Sequence, residues 1–209
     1  MGKEIEVERL AQARAALAAA ETHTGVRPAD AGIPVPPALR TLLPGGIPRG
    51  GAVSVLGSRT IMWSLVSAAM GQDGWCVVVG LSDVGWYAAQ QAGVSLERVL
   101  YLPEGATPPI LAAAIDGADV AVLGPGHRLT PAEVRAMSAR LRNRGSLLVT
   151  SAPWPGAIQL DARITHATGC SNGAGYVSEW ILEARRGPTR VRLAAGETVR
   201  TYEPLAVVS

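Results

Sequence analysis

The hydrophobic and polar positions of this chain fall into two regimes. From residue 52 onward, short continuous apolar runs alternate with longer helical stretches. The runs at 53–56, 76–79, 99–102, 120–123 and 147–150 have strand length and β-branched content. Between them, 60–70, 84–92, 108–115 and 131–144 read as helices. The last of these opens with Thr130, Pro131 and Glu133, a cap, a first-turn proline and a first-turn acid. Continuous apolar strands separated by helices predict a mostly parallel sheet covered on both faces, a three-layer α/β domain. Beyond residue 150 the pattern changes. Segments 162–168, 176–184 and 190–193 read as antiparallel strands, with Arg186-Gly187-Pro188 as a turn.

Ahead of residue 52 the pattern is different again. In 4–21, Val7, Leu10, Ala13, Leu17 and Ala20 fall three or four residues apart behind acids in the first turn, which predicts an amphipathic helix. Segment 22–50 contains six prolines and predicts a connector that isolates this helix as an arm, with a short helical turn around 37–42. The expected organisation is therefore a helical arm over 1–21, a Pro/Gly-rich connector over 22–50 and an α/β domain over 51–209.

Composition narrows the chemistry. With 209 residues, 48% hydrophobic and 17% charged, the chain is long and apolar enough for a sizeable core. No stretch reaches 18 consecutive apolar residues. The Ala-rich segment 15–20 is short and follows Glu4, Glu6 and Glu8, the wrong flank for a signal peptide, so the expected location is the cytoplasm. Cys76 and Cys170 make neither a disulfide framework nor a zinc site, and Cys76 opens an apolar run as a small core residue would. His23, His127 and His166 have no ligand spacing, so no metal and no cofactor is expected. Eighteen of the nineteen basic residues are Arg, and the single lysine is Lys3. No Schiff-base lysine, lysine general base or phosphate-loop lysine can come from the body of the protein.

The missing lysine bears on one place. The run 53–56 passes through Gly57 into a helix, the junction where an α/β sheet ordinarily binds phosphate, because free N–H groups and the helix dipole point there. The segment ahead of it, Leu43-Pro44-Gly45-Gly46-Ile47-Pro48-Arg49-Gly50, resembles the lead-in to the ATPase core of RecA-type recombinases. Tyr87, Ala92-Gly93-Val94 and Leu100 extend the resemblance, which covers roughly 39–192. It implies a RecA-like three-layer fold with a mostly parallel central sheet and C-terminal antiparallel strands. A phosphate loop needs G-x-x-x-x-G-K-[ST]. Here Gly57 and Ser64 stand in register, Arg59 lies between them, the second glycine is Met62 and the lysine is Trp63. Where the family places a magnesium-supporting Asp this chain has Gly124, and its water-activating Glu falls at Ser82, beside Asp83. A micromolar nucleotide site needs about 8 kcal/mol, whereas a bare helix N-terminus supplies about 0.3–2 kcal/mol for an anion. Met62 and Trp63 are expected to pack the loop shut, and no ATP hydrolysis is expected.

Among RecA-like proteins without a working ATPase, the chain resembles the ImuA group, including actinobacterial ImuA-prime, more than SulA. The lead-in, Trp154-Pro155-Gly156-Ala157 and the Arg-rich segment from Leu182 to Pro188 carry that likeness. The resemblance implies a non-catalytic adaptor in a DNA-damage mutasome, binding an ImuB-like protein and an error-prone replicative-type polymerase. Trp154, between two prolines, and Leu10 and Leu17 on the arm are the candidate partner contacts; the Trp could equally fold onto its own domain. The charge is uneven, with 8 bases and 11 acids over 1–126 and 11 bases and 6 acids over 127–209. Arg185, Arg186, Arg190 and Arg192 around the hairpin are candidates for an acidic partner or DNA backbone, whereas Arg140, Arg142 and Arg144 complement a helix dipole. Two further readings stand beside the adaptor: a single-stranded DNA or recombinase-binding module, and a SulA-like division inhibitor. Self-association through the arm is a candidate as well.

Overall fold

A computed structural model describes residues 32–171, 174–195 and 199–202. The expected arm over 1–21, with Leu10 and Leu17, lies outside the described residues. Strands β1 (Ala52–Leu56), β2 (Cys76–Val79), β3 (Val99–Leu102), β4 (Val120–Leu123) and β5 (Leu147–Thr150) alternate with helices α1 (Arg59–Met70), α2 (Trp86–Gln91), α3 (Pro108–Gly117) and α4 (Pro131–Arg144). Strands β6 (Ile158–Ser171), β7 (Ala174–Arg186), β8 (Thr189–Ala195) and β9 (Val199–Thr201) follow. Together they form one sheet in the order β3-β2-β4-β5-β1-β6-β7-β8-β9. The first five strands pair in parallel, and β6–β7, β7–β8 and β8–β9 pair antiparallel.

The period-two geometry of strands explains the two cores. Val53 and Val55, Cys76 and Val78, Val120 and Val122, and Leu147 and Val149 face α1 and α2. Their neighbours Ala52, Val77, Val79, Ala121, Leu123 and Leu148 face α3 and α4. Both faces of these strands are apolar because both are covered. Helix α4 starts at a capping box in which Thr130 and Glu133 satisfy each other's backbone N–H groups. It ends at Gly145, whose left-handed φ of 71° accommodates the C-cap. Among the described residues, no helix is long and apolar enough to cross a membrane.

Two expectations are corrected. Residues 32–50 are not a connector. Ile33, Val35, Ala38, Leu39, Leu42, Leu43 and Ile47 are buried in the α1-side core, and Ile33 and Ile47 exchange backbone hydrogen bonds of 2.8 and 2.9 Å. Proline and glycine there shape turns while the interspersed apolar residues pack, so the compact unit begins at Gly32. The C-terminal strands are longer than predicted and β6 is not purely antiparallel. Its first residues pair in parallel with β1, Val53 to Leu56 against Ile158 to Asp161, before it pairs with β7. The short β9 has no counterpart in the sequence reading.

Candidate functional site

The β1–α1 junction has the local geometry of an anion loop. Gly57 takes a left-handed φ of 82°, and Ser58 caps α1 by accepting from the N–H of Ile61 at 3.2 Å. Around that frame the space is filled. A Cβ on Gly57 would lie 2.1 Å from the carbonyl oxygen of Ala162 on β6, so the neighbouring strand closes over the turn. Met62 and Trp63 are fully buried. The indole N–H of Trp63 donates to the carbonyl of Val84 at 2.9 Å, and its ring stacks on Trp86 at 6.5 Å between centroids. Trp86 meets Tyr101 edge to face at 5.1 Å, and the Tyr101 hydroxyl donates to the Leu81 carbonyl at 3.0 Å. Ser64 is committed as well, donating to the carbonyl of Thr60 at 2.8 Å.

The other positions are equally constrained. Gly124 ends β4 where a Cβ would stand 1.8 Å from the carbonyl oxygen of Gly80, so the carboxyl ends of β2 and β4 approach too closely for any side chain. Asp83 does not face the β1–α1 turn as a free base. Its carboxylate binds the Arg59 guanidinium at 2.7 Å, and that hydrogen bond holds the Asp83 carboxyl below its ordinary range. Arg59 is thereby turned toward Asp83, with Nε donating to the Asp83 carbonyl at 3.4 Å. Among the described residues, no group of three or more His, Cys, Asp or Glu is placed to hold a metal ion. Cys76 is buried and its thiol is pushed up to about 12 by desolvation.

Trp154 is not an exposed anchor. It is 5% accessible and belongs to the α3–α4 core. Its N–H donates to the Ser54 hydroxyl at 3.1 Å, its indole N–H donates to Ser138 at 3.3 Å, and His127 packs against it edge to face at 5.7 Å. In that core, the burial of a large apolar side chain outweighs what exposure would offer.

The arginines divide into three groups. Arg140 pairs with Asp116 and Arg144 donates to the Asp116 carbonyl, tying α4 to α3. Arg186, expected among the ligand-binding candidates, instead donates to the Leu42 carbonyl at 3.0 Å and tethers β7 to the 32–50 segment. Arg185, Arg190 and Arg192 do share one outer face of β7 and β8, as the i, i+2 spacing requires. Arg163 of β6 joins them, bound to Glu183 at 3.0 Å. Arg163 lies within the 162–168 strand that the sequence predicts, but its place beside Glu183 and Arg192 depends on pairing partners that one strand does not reveal. The signal was present as a period of two in Asp161 and Arg163, Glu183 and Arg185, and Arg190 and Arg192.

Comparison with other proteins adds a family. The family described as MT3502 N-terminal domain matches over residues 41–156. Uncharacterized protein Rv3395c of Mycobacterium tuberculosis is 41% identical over 120 residues, which is 54% of this chain and 59% of that protein. The match therefore covers less than two thirds of that relative's length.

Proposed function

We propose, for a chain that belongs to the MT3502 N-terminal domain family, a non-catalytic role: a RecA-like, cytoplasmic adaptor of a DNA-damage-induced mutasome. In this reading it holds an ImuB-like protein and an error-prone replicative-type polymerase together for translesion synthesis. One observation carries the non-catalytic half. The phosphate-loop junction keeps its glycine and its helix start, but the lysine position is a buried, hydrogen-bonded Trp63. Gly124 supports the same reading, because the position of the metal-supporting acid has no room for a side chain. An α/β sheet that has lost its nucleotide retains a rigid frame on which binding surfaces can be built. The mutasome half rests on the lead-in at 43–50 and the segment at 154–157.

The test is affinity capture of the full chain from cells treated with a DNA-damaging agent. Co-purification of a Y-family-like protein and a replicative-type polymerase is expected. Their absence from the captured material removes the mutasome reading. ATP turnover by the purified protein that disappears in Ser64→Ala removes the non-catalytic one.

A further inference from the structure

The outer face of β6, β7 and β8 is a charge lattice fixed by strand register. One row runs Asp161, Arg185, Arg190 and the next runs Arg163, Glu183, Arg192. Within it Arg185 contacts Asp161 at 3.4 Å, and Arg163 and Arg190 reach Glu183 at 3.0 and 3.8 Å. Four arginines against two carboxylates leave an excess of two positive charges. Arg192 is exposed and has no ion pair among the described residues. The face opens as a cleft of about 360 Å³ lined by Asp161, Ala162, Arg163, Glu183, Arg185 and Arg190.

We propose that this face is the docking site for an extended acidic segment of a partner protein. The inference rests on reading the chain as a protein-binding module, and not on the identity of the mutasome partners. Residues two apart on a strand are separated by about 6.6–6.8 Å, so Arg190 and Arg192 match the acidic side chains of a second extended chain that carries an acid at every other position. Each guanidinium has five donors. Those engaged by Glu183 or Asp161 keep N–H groups for an incoming carboxylate, and the fixed acids hold the forks in place beforehand. Such exposed pairs are weak enough to be shared or exchanged when a ligand arrives.

The same lattice argues against a nucleic-acid backbone. Two of its six positions are carboxylates, so the face is not the uniformly basic strip that a nucleic-acid backbone favours. None of the six lattice positions is an aromatic residue on which a base would stack, and Tyr202 only borders the lattice beside Arg192. Electrostatic complementarity of mixed sign is the pattern of a protein interface.

The probe is a fluorescein-labelled peptide of about fifteen alternating Glu and Thr residues, titrated with the full chain at low ionic strength, where surface charge is least screened. A Lys-Thr peptide and a single-stranded oligothymidylate serve as comparisons. Binding of the Glu-Thr peptide and not of the Lys-Thr peptide is expected, with a loss of about tenfold or more in the R190A/R192A double variant. The R190E/R192E variant is expected to reverse the preference and bind the Lys-Thr peptide, a gain that misfolding would not produce. Binding of the acidic peptide that the double variant leaves unchanged overturns the proposal, as does no binding. Tighter, arginine-dependent binding of the oligothymidylate overturns it in favour of a nucleic-acid ligand. Failure of the capture experiment leaves these titrations unaffected, so the two readings fall separately.

Discussion

The indole N–H of Trp63 donates to the carbonyl oxygen of Val84 across 2.9 Å, joining the first turns of α1 to the loop after β2. Both partners are buried, so the bond is shielded from water and costly to leave half made. Trp63→Ala is therefore expected to cost about 3–5 kcal/mol in denaturant unfolding. Trp63→Lys, which places a lysine in the first turns of α1, is expected to destabilise the fold without creating ATP affinity by calorimetry, since Met62 and the Ala162 carbonyl still occupy the space. Saturable ATP binding by Trp63→Lys would show that the loop is blocked by this one side chain alone.

Gly124 provides an independent check. A methyl group there overlaps the Gly80 carbonyl oxygen at 1.8 Å, and the strand ends can separate only by breaking the bond from the Gly124 N–H to the Val79 carbonyl. Gly124→Ala is expected to lose at least about 2 kcal/mol. Gly124→Asp is expected to lose more, because it adds a carboxylate to the overlap, and to gain no magnesium affinity. Unchanged melting of Gly124→Ala would show that the sheet tolerates a wider gap.

Arg186 and Arg192 are expected to behave oppositely. Arg186 donates a charge-assisted hydrogen bond to the Leu42 carbonyl from a partly buried position, so Arg186→Ala is expected to cost about 1.5–3 kcal/mol. Exposed Arg192 is expected to change stability by no more than about 0.5 kcal/mol when replaced by Ala. Urea titrations of the two variants side by side distinguish the tether from the ligand-facing residue.

His127 makes stability depend on pH. Its imidazole is partly buried against Trp154, and desolvation lowers its affinity for a proton below the ordinary 6.5. The unfolded chain thus takes up the proton first as pH falls. The contribution is fully present above pH 6.5 and is lost progressively as pH drops toward the folded-state value. Urea midpoints are expected to decline between pH 7.5 and pH 5.5 in the wild type and to decline less in His127→Gln. Parallel declines in both would place the titrating group elsewhere.

The positions of β2, β4 and β5 were legible residue by residue, because strands buried on both faces write themselves as unbroken apolar runs bounded by polar or glycine positions. Helix α4 was equally legible through Thr130, Pro131 and Glu133, whose capping chemistry is local. The start of β6 is not legible because Ile158 to Asp161 pair in parallel with β1 and not with β7, a partnership that nothing local announces. The 32–50 segment was misread for a related reason. Its prolines and glycines mark turns, and nothing local says that Leu39, Leu42 and Ile47 meet a core on the far side of those turns.

By itself, then, the sequence determined the alternation of strands and helices, the cap of α4, and the absence of any lysine beyond Lys3. These follow from local propensity, burial periodicity and side-chain inventory. Tertiary structure decided which large residues fill space and which remain available. Trp154 was drawn inward by Ser54, Ser138 and the α3–α4 core, and Arg186 was taken by a carbonyl 144 positions away. Strand register alone set Arg163, Arg185, Arg190 and Arg192 around two carboxylates. Each of these outcomes is a competition among distant groups for the same volume or hydrogen bond, and only the folded chain brings the competitors together.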